Sequence, residues 1–168
     1  NQNYYYPCIN QEPLYIEHLE KEILKYIKPK IDDGFYALEQ EYKNRGYEIK
    51  VSDGSIGVII KPNSVEVEID RKIEIKKETD IRKYNTFKIK VPSKIYELAS
   101  VAVEIAGQEA KFCYFESLGY SLLYPEVKVE RISVGAQNSS AKIYKIKDSI
   151  SDKELLIAVR SCAMPGGM

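Results

Sequence analysis

The chain has no tryptophan, one histidine, three cysteines and two methionines in 168 residues. Each scarcity excludes something. His18 stands alone, and Cys8, Cys113 and Cys162 are scattered, with no C-x-x-C pair among them. That set cannot supply a usual zinc shell, so no metal and no cofactor is expected. An excess of charge is missing too, with 25 Lys and Arg set against 25 Asp and Glu. Phosphate binding needs a net basic face, so nucleic acid is not the expected partner, and nothing polybasic draws the chain to anionic lipid. Long apolar runs are also lacking. The most apolar helical stretch, Leu98 to Ala106, is broken by Glu104 and falls well short of the ~18 residues of a membrane span. No direct membrane insertion by this segment is expected.

The usual catalytic signatures are missing as well. There is no G-x-S-x-G, phosphate-loop or dinucleotide glycine pattern. Ser121 lies in GYSLL, which lacks the second glycine, and no histidine is placed to serve it. His18 has Glu22 one helical turn away and reads as half of a surface ion pair. Two acids suffice for glycoside hydrolysis, so the carboxylate pairs need their own test. Asp32 and Asp33 are adjacent on a helix and point apart. Glu66 and Glu68 share a strand face, but it is the face opposite the valines, where solvent is expected. No catalytic residue is assigned.

What is present is a clear change of period along the chain. Pro13 suits the first position of a helix. Ile16, Leu19, Ile23 and Ile27 then form an apolar stripe that resumes after Pro29 with Ile31, Phe35, Leu38 and Tyr42, and Gly46 is a natural stop. This predicts a helix pair, or one kinked helix, over residues 13–45. From Tyr47 the period is two. Asp53-Gly54 is a favoured hairpin turn, and folding there pairs Val51 with Ile56, Ile49 with Val58 and Tyr47 with Ile60. Val65, Val67, Ile69, Ile73 and Ile75 continue the alternation, as do Phe87, Ile89 and Val91. The prediction for 47–91 is a four-strand antiparallel meander with one wet face. Ser93 is placed to cap a following helix with Ile95, Leu98, Ala102 and Ile105 on its buried stripe. Gly107 is expected to divide it from a short helix ended by Gly119. VKVERISV, AKIYKIK and ELLIAVR predict further C-terminal strands. The fold class is therefore α+β, with one domain over 13–160, a tyrosine-rich arm over 1–12 and a tail over 161–168.

Fourteen tyrosines are the most unusual abundance. Tyrosine joins a large apolar ring to a polar tip and favours interfaces. In an extended arm alternate side chains point to opposite sides, so Tyr4, Tyr5 and Tyr6 cannot all face one core. They are the expected protein–protein contact. Tyr114, Tyr120 and Tyr124 are also expected near the surface. Asn138-Ser139-Ser140 matches the N-glycosylation acceptor pattern in a loop. Enrichment in Lys and Glu is shared by hyperthermophile proteins and by products of A+T-rich genomes.

The segments EPLYIEHLEKEILKYI, RGYEIKVSDGSIGVII, VEVEIDRKIEIKK, NTFKIKVPSKIYELASVAVEIA and IKDSISDKELLIAVR cover roughly residues 12–160. Together they resemble a group of membrane-anchored surface proteins of DPANN-type archaea, which carry an extracytoplasmic α+β domain behind a short N-terminal anchor. One departure is Gly34, near which that group often has a cysteine, so no disulfide pattern is carried over. The resemblance implies a position outside the cytoplasm, at the cell surface or beyond, and no known activity. The opening NQNYYYPC, with no initiating Met, is compatible with a processed chain whose anchor precedes Asn1. Extracytoplasmic chains are oxidised, and a disulfide that includes Cys113 is expected, with Cys8 and Cys162 both eligible as its partner.

The leading expectation is a non-catalytic surface or envelope domain that binds another protein or assembles with copies of itself. Two other readings stand beside it. One is a cell-surface hydrolase working through carboxylates that the sequence does not single out. The other is a pilus-like filament subunit whose arm adds a strand to a neighbouring sheet.

Overall fold

The structure is a computed structural model that describes residues 14–132 and 141–160. Its elements follow the α+β order expected. Helix α1 (Tyr15–Asn44) precedes strands β1 (Glu48–Val51), β2 (Ser55–Lys61), β3 (Ser64–Lys77) and β4 (Asp80–Pro92). Helices α2 (Ile95–Phe112) and α3 (Ser117–Leu123) follow, then β5 (Val127–Ile132), β6 (Ala141–Asp148) and β7 (Glu154–Arg160). The described residues group into two compact units, Glu17–Ser93 and, in the other, those up to Ile16 with those from Lys94 onward.

In the first unit α1 is a single helix that runs through Pro29. Of the two forms that the apolar stripe allows, it is the unbroken one. Phe35, Leu38 and Tyr42 from its second half pack on Ile49, Ile73 and Ile75 of the sheet. Burying each such isoleucine contributes about 1.5–3 kcal/mol relative to exposure. At the other end Glu20 reaches the sheet, its Oε1 accepting the Ile60 backbone N–H at 2.8 Å. Gly46, at φ +79°, provides the left-handed turn out of the helix.

The sheet departs from the expected register at one point. Asp53-Gly54 is not a hairpin turn, and Val51, Ile49 and Tyr47 do not pair with Ile56, Val58 and Ile60. Instead β1 and β2 both pair antiparallel with β3, Val51 opposite Ile73 and Ser55 opposite Asp70. Strand β4 pairs along the whole of β3, so β1 and β2 lie end to end on the other side of it. They are one interrupted strand. Ser52, Asp53 and Gly54 face only Arg71 and Lys72, which makes the interruption a bulge with one extra residue. The Ser52 N–H donates to the Lys72 carbonyl at 2.9 Å, and the Lys72 N–H donates to the Ser52 hydroxyl at 3.1 Å. A Cβ on Gly54 would lie 1.9 Å from the Asp70 carbonyl oxygen, so only glycine fits. The tight hairpin sits instead at Pro62-Asn63, where Lys61 pairs with Ser64 and Asn63 takes φ +60°. The face assignment stands despite the changed pairing: Ile49, Val58, Ile60, Ile69, Ile73 and Ile75 are all buried.

In the second unit Leu98, Val101, Ala102 and Ile105 of α2 pack on Val127, Val129, Tyr144 and Ile146 of a three-stranded sheet ordered β5-β6-β7, with Phe115 beside them. Helix α2 continues through Gly107, which does not divide it, and Gly119 lies inside α3. Ser93 is not the cap of α2. Lys94 holds that position and makes no side-chain capping bond. The helix ends at Cys113, whose φ of +57° turns the chain and whose N–H donates to the Glu109 carbonyl at 2.9 Å. Glu109 itself is buried, where its carboxylate accepts from the Tyr144 hydroxyl and from Lys142 Nζ at 2.6 Å.

Candidate functional site

The longest unpaired edge belongs to β4. Twelve of its thirteen residues pair with β3 on one side, and among the described residues none pairs with a strand on the other. Nearly every residue of β4 is exposed. Tyr84 and Phe87 stand opposite Ile73 and Ile69, on the apolar face, and Ile89 and Val91 continue it opposite Val67 and Val65. Tyr84, Ile89 and Val91 are 44%, 49% and 48% exposed. A long edge with open apolar side chains is a template for another strand, and proteins usually blunt such edges with charge. Here two of the four cations of β4 are drawn across the sheet to acids. Lys88 meets Glu68 at 3.0 Å and Lys83 meets Glu74 at 3.2 Å, on the face opposite the isoleucines. Arg82, opposite Ile75, is the charged residue on the apolar face of β4, and from Tyr84 to Val91 that face carries none.

A second feature sits beside the bulge. A groove of about 470 Å³ is lined by α1 on one side and by Val51, Ser52, Asp53 and Gly54 on the other. Arg71 forms its floor. Its guanidinium carbon is 4.6 Å from the centre of the Phe35 ring, and Nη2 donates to Asp32 Oδ1 at 2.6 Å. Sequence reasoning missed Arg71, although a signal was there. It occupies the apolar parity of β3, between Ile69 and Ile73, where no charge belongs without a reason.

The residues singled out from sequence fall as follows. Asp32 meets Arg71, while Asp33 is exposed and turned away. Glu66 and Glu68 lie on the wet face, bound to Lys61 at 2.5 Å and Lys88 at 3.0 Å. The hydrogen bond from Lys61 holds the Glu66 carboxyl below its ordinary value. The structure therefore assembles neither acid pair into a cleft. His18 is on the exposed side of α1, and Glu22 lies 3.9 Å from Lys25. The Ser121 hydroxyl accepts the Val129 N–H at 3.1 Å and so ties α3 to β5. Tyr114 and Tyr124 are exposed and Tyr120 is half-buried against Phe115. Cys113 is disulfide-bonded. Tyr4, Tyr5, Tyr6, Cys8, Asn138 and Cys162 lie outside the described residues. Among the described residues no cluster of histidine, cysteine and acids could hold a metal, and no helix is long and apolar enough to cross a membrane. No family model, curated protein or solved structure matches the chain.

Proposed function

We propose that this chain is a non-catalytic extracytoplasmic surface domain that self-assembles, taking a strand from a second copy onto the free edge of β4. The observation that carries the reading is that edge: thirteen residues, unpaired on one side among the described residues, with Tyr84, Ile89 and Val91 open on its apolar face. Main-chain bonds would supply affinity and the apolar side chains specificity, as in other strand-addition complexes. The tyrosine-rich arm, residues 1–12, is the strand to be added. It offers alternating large side chains at Tyr4 and Tyr6, and its only charged side chain is Glu12, which suits the lysine-rich β4. The Cys113 disulfide supports an oxidising location outside the cytoplasm.

Sedimentation velocity on the intact chain tests this. The wild type should associate with increasing concentration. Deleting residues 1–7, or introducing Ile89→Lys with Val91→Lys, should return it to monomer while the thermal transition stays nearly unchanged. A wild type that remains monomeric at every concentration contradicts the proposal. So does a truncated chain that loses stability and still associates.

A further inference from the structure

We infer that the groove beside the bulge binds a small zwitterion, a free amino acid or short peptide, with its carboxylate at Arg71 and Lys28 and its ammonium at Asp53. This inference is independent of strand addition at β4. The groove, at about 470 Å³, falls within the ~300–1,000 Å³ of ordinary small-ligand sites.

The case begins with an unsatisfied cation. The Arg71 side chain is only 11% exposed, and the guanidinium's hydrogen bond to Asp32 uses Nη2 alone. Nε is buried with no acceptor. A guanidinium has five N–H donors in a planar fork, and leaving buried ones unmade is costly. Phe35 and Asp32 hold the fork in place, which lowers the ordering cost of binding. A carboxylate is the group whose two oxygens match such a fork. Lys28 stands one helical turn before Asp32 on α1 and lines the groove. It supplies a second, mobile positive charge.

The acids in the lining then narrow the ligand. Asp32 is held by Arg71 at 2.6 Å, and Glu39 is held by Lys43 at 2.6 Å. Asp53, on the bulge, has no such partner among the described residues. Arg71 and Asp32 together carry no net charge, so what the groove presents is the remaining guanidinium donors flanked by one cation, Lys28, and one carboxylate, Asp53. A simple anion would meet repulsion from Asp53, and a simple cation would meet it from Lys28. A molecule carrying both charges answers all three groups.

Heteronuclear NMR titration of the intact chain tests the inference, with L-alanyl-L-alanine as probe. N-acetyl-L-alanine supplies the carboxylate alone, and L-alaninamide the ammonium alone. The dipeptide should shift the resonances of Asp32, Ser52, Asp53 and Arg71 with an affinity in the millimolar range or tighter. Each control should bind about tenfold more weakly, which is about 1.4 kcal/mol. Arg71→Met should abolish binding. Because Arg71 packs inside the unit, two exposed variants are read beside it. Lys28→Ala should weaken the dipeptide and N-acetyl-L-alanine alike, and Asp53→Asn should weaken the dipeptide but not N-acetyl-L-alanine. No shifts at the groove up to the solubility of the dipeptide would overturn the site. Equal affinity for dipeptide and N-acetyl-L-alanine would overturn the zwitterion.

Discussion

Glu109 and Lys142 form an ion pair across 2.6 Å, with the acid side chain 0% exposed and the lysine side chain 11% exposed. The same carboxylate accepts from the Tyr144 hydroxyl, and the same ammonium donates to the Cys113 carbonyl at 2.6 Å. One knot thus joins the end of α2 to β6. Glu109→Ala should cost about 3–5 kcal/mol in urea denaturation, because it leaves a largely buried ammonium and a buried hydroxyl without their acceptor. The triple change Glu109→Leu, Lys142→Met and Tyr144→Phe removes the three side-chain partners together, leaving only the Cys113 carbonyl without its donor, and should recover most of that loss. A Glu109→Ala variant as stable as wild type would show that water can replace the carboxylate.

Gly54 and Gly57 offer an internal comparison. A Cβ at 54 would strike the Asp70 carbonyl, while a Cβ at 57 meets nothing within 4 Å. Backbone cannot swing aside as a side chain can. Gly54→Ala should therefore destabilise the first unit by about 1–3 kcal/mol, the usual cost of overpacking. Gly57→Ala should be neutral or slightly stabilising, since it only restricts the unfolded chain. Thermal melts of the two variants check this. Equal effects would refute the close approach of Gly54 to the Asp70 carbonyl.

Those two glycines also show how far the sequence is legible. The apolar positions switch parity between Val51 and Ile56, and two structures explain such a switch equally well. A hairpin reverses the strand, while a bulge adds one residue to a strand that continues. Local turn chemistry favours the first. The second wins because the fourteen-residue β3 can hold both halves on one side, and that is a long-range fact. The apolar stripe of α1, the buried face of the sheet and the C-terminal strands were legible, since each depends on local period alone. Arg71 and Glu109 were legible in principle. Each is a charge at an apolar position, Arg71 between Ile69 and Ile73 and Glu109 four residues after Ile105. The groove was not, because it exists only where a bulge and a helix face each other.

Asp148 and Tyr144, the buried members of the shifted carboxyls and phenols, contribute to the pH response with opposite signs. Asp148 is buried, and the Ser151 hydroxyl and N–H hold its carboxyl below its ordinary value of 3.8. The native state thus binds this proton more weakly than the unfolded chain. The stability it contributes is full above pH 3.8 and is lost as pH falls below that value. Tyr144 is the reverse case. Burial first, then its bond to Glu109, raise the phenol above its ordinary value of 10.0. Its contribution is full below pH 10.0 and declines as pH rises past it. Urea midpoints measured across pH should fall at both ends. Asp148→Asn should flatten the acid limb and Tyr144→Phe the alkaline one. Unchanged limbs in those variants would place the titration elsewhere.

The Cys113 disulfide gives the last prediction. Cys113 closes α2 in a left-handed conformation that glycine would adopt more cheaply, so a cysteine there has a use beyond the turn. The two other cysteines, Cys8 and Cys162, are near opposite ends of the sequence, and a bridge to either closes a long loop. Long loops carry the larger entropic stabilisation, typically about 2–4 kcal/mol. In oxidised protein, alkylation under denaturing, non-reducing conditions should label one cysteine of the three. Cys113→Ser should lower stability by about 2–4 kcal/mol. One of Cys8→Ser and Cys162→Ser should reproduce that loss, and the other should be nearly silent, which identifies the partner. Cys113→Gly separates the turn from the bridge: it loses the disulfide but relieves the left-handed strain, so it should be about 1 kcal/mol more stable than Cys113→Ser. Labelling of all three thiols in oxidised protein would refute the bridge and remove the physical support for an extracytoplasmic location.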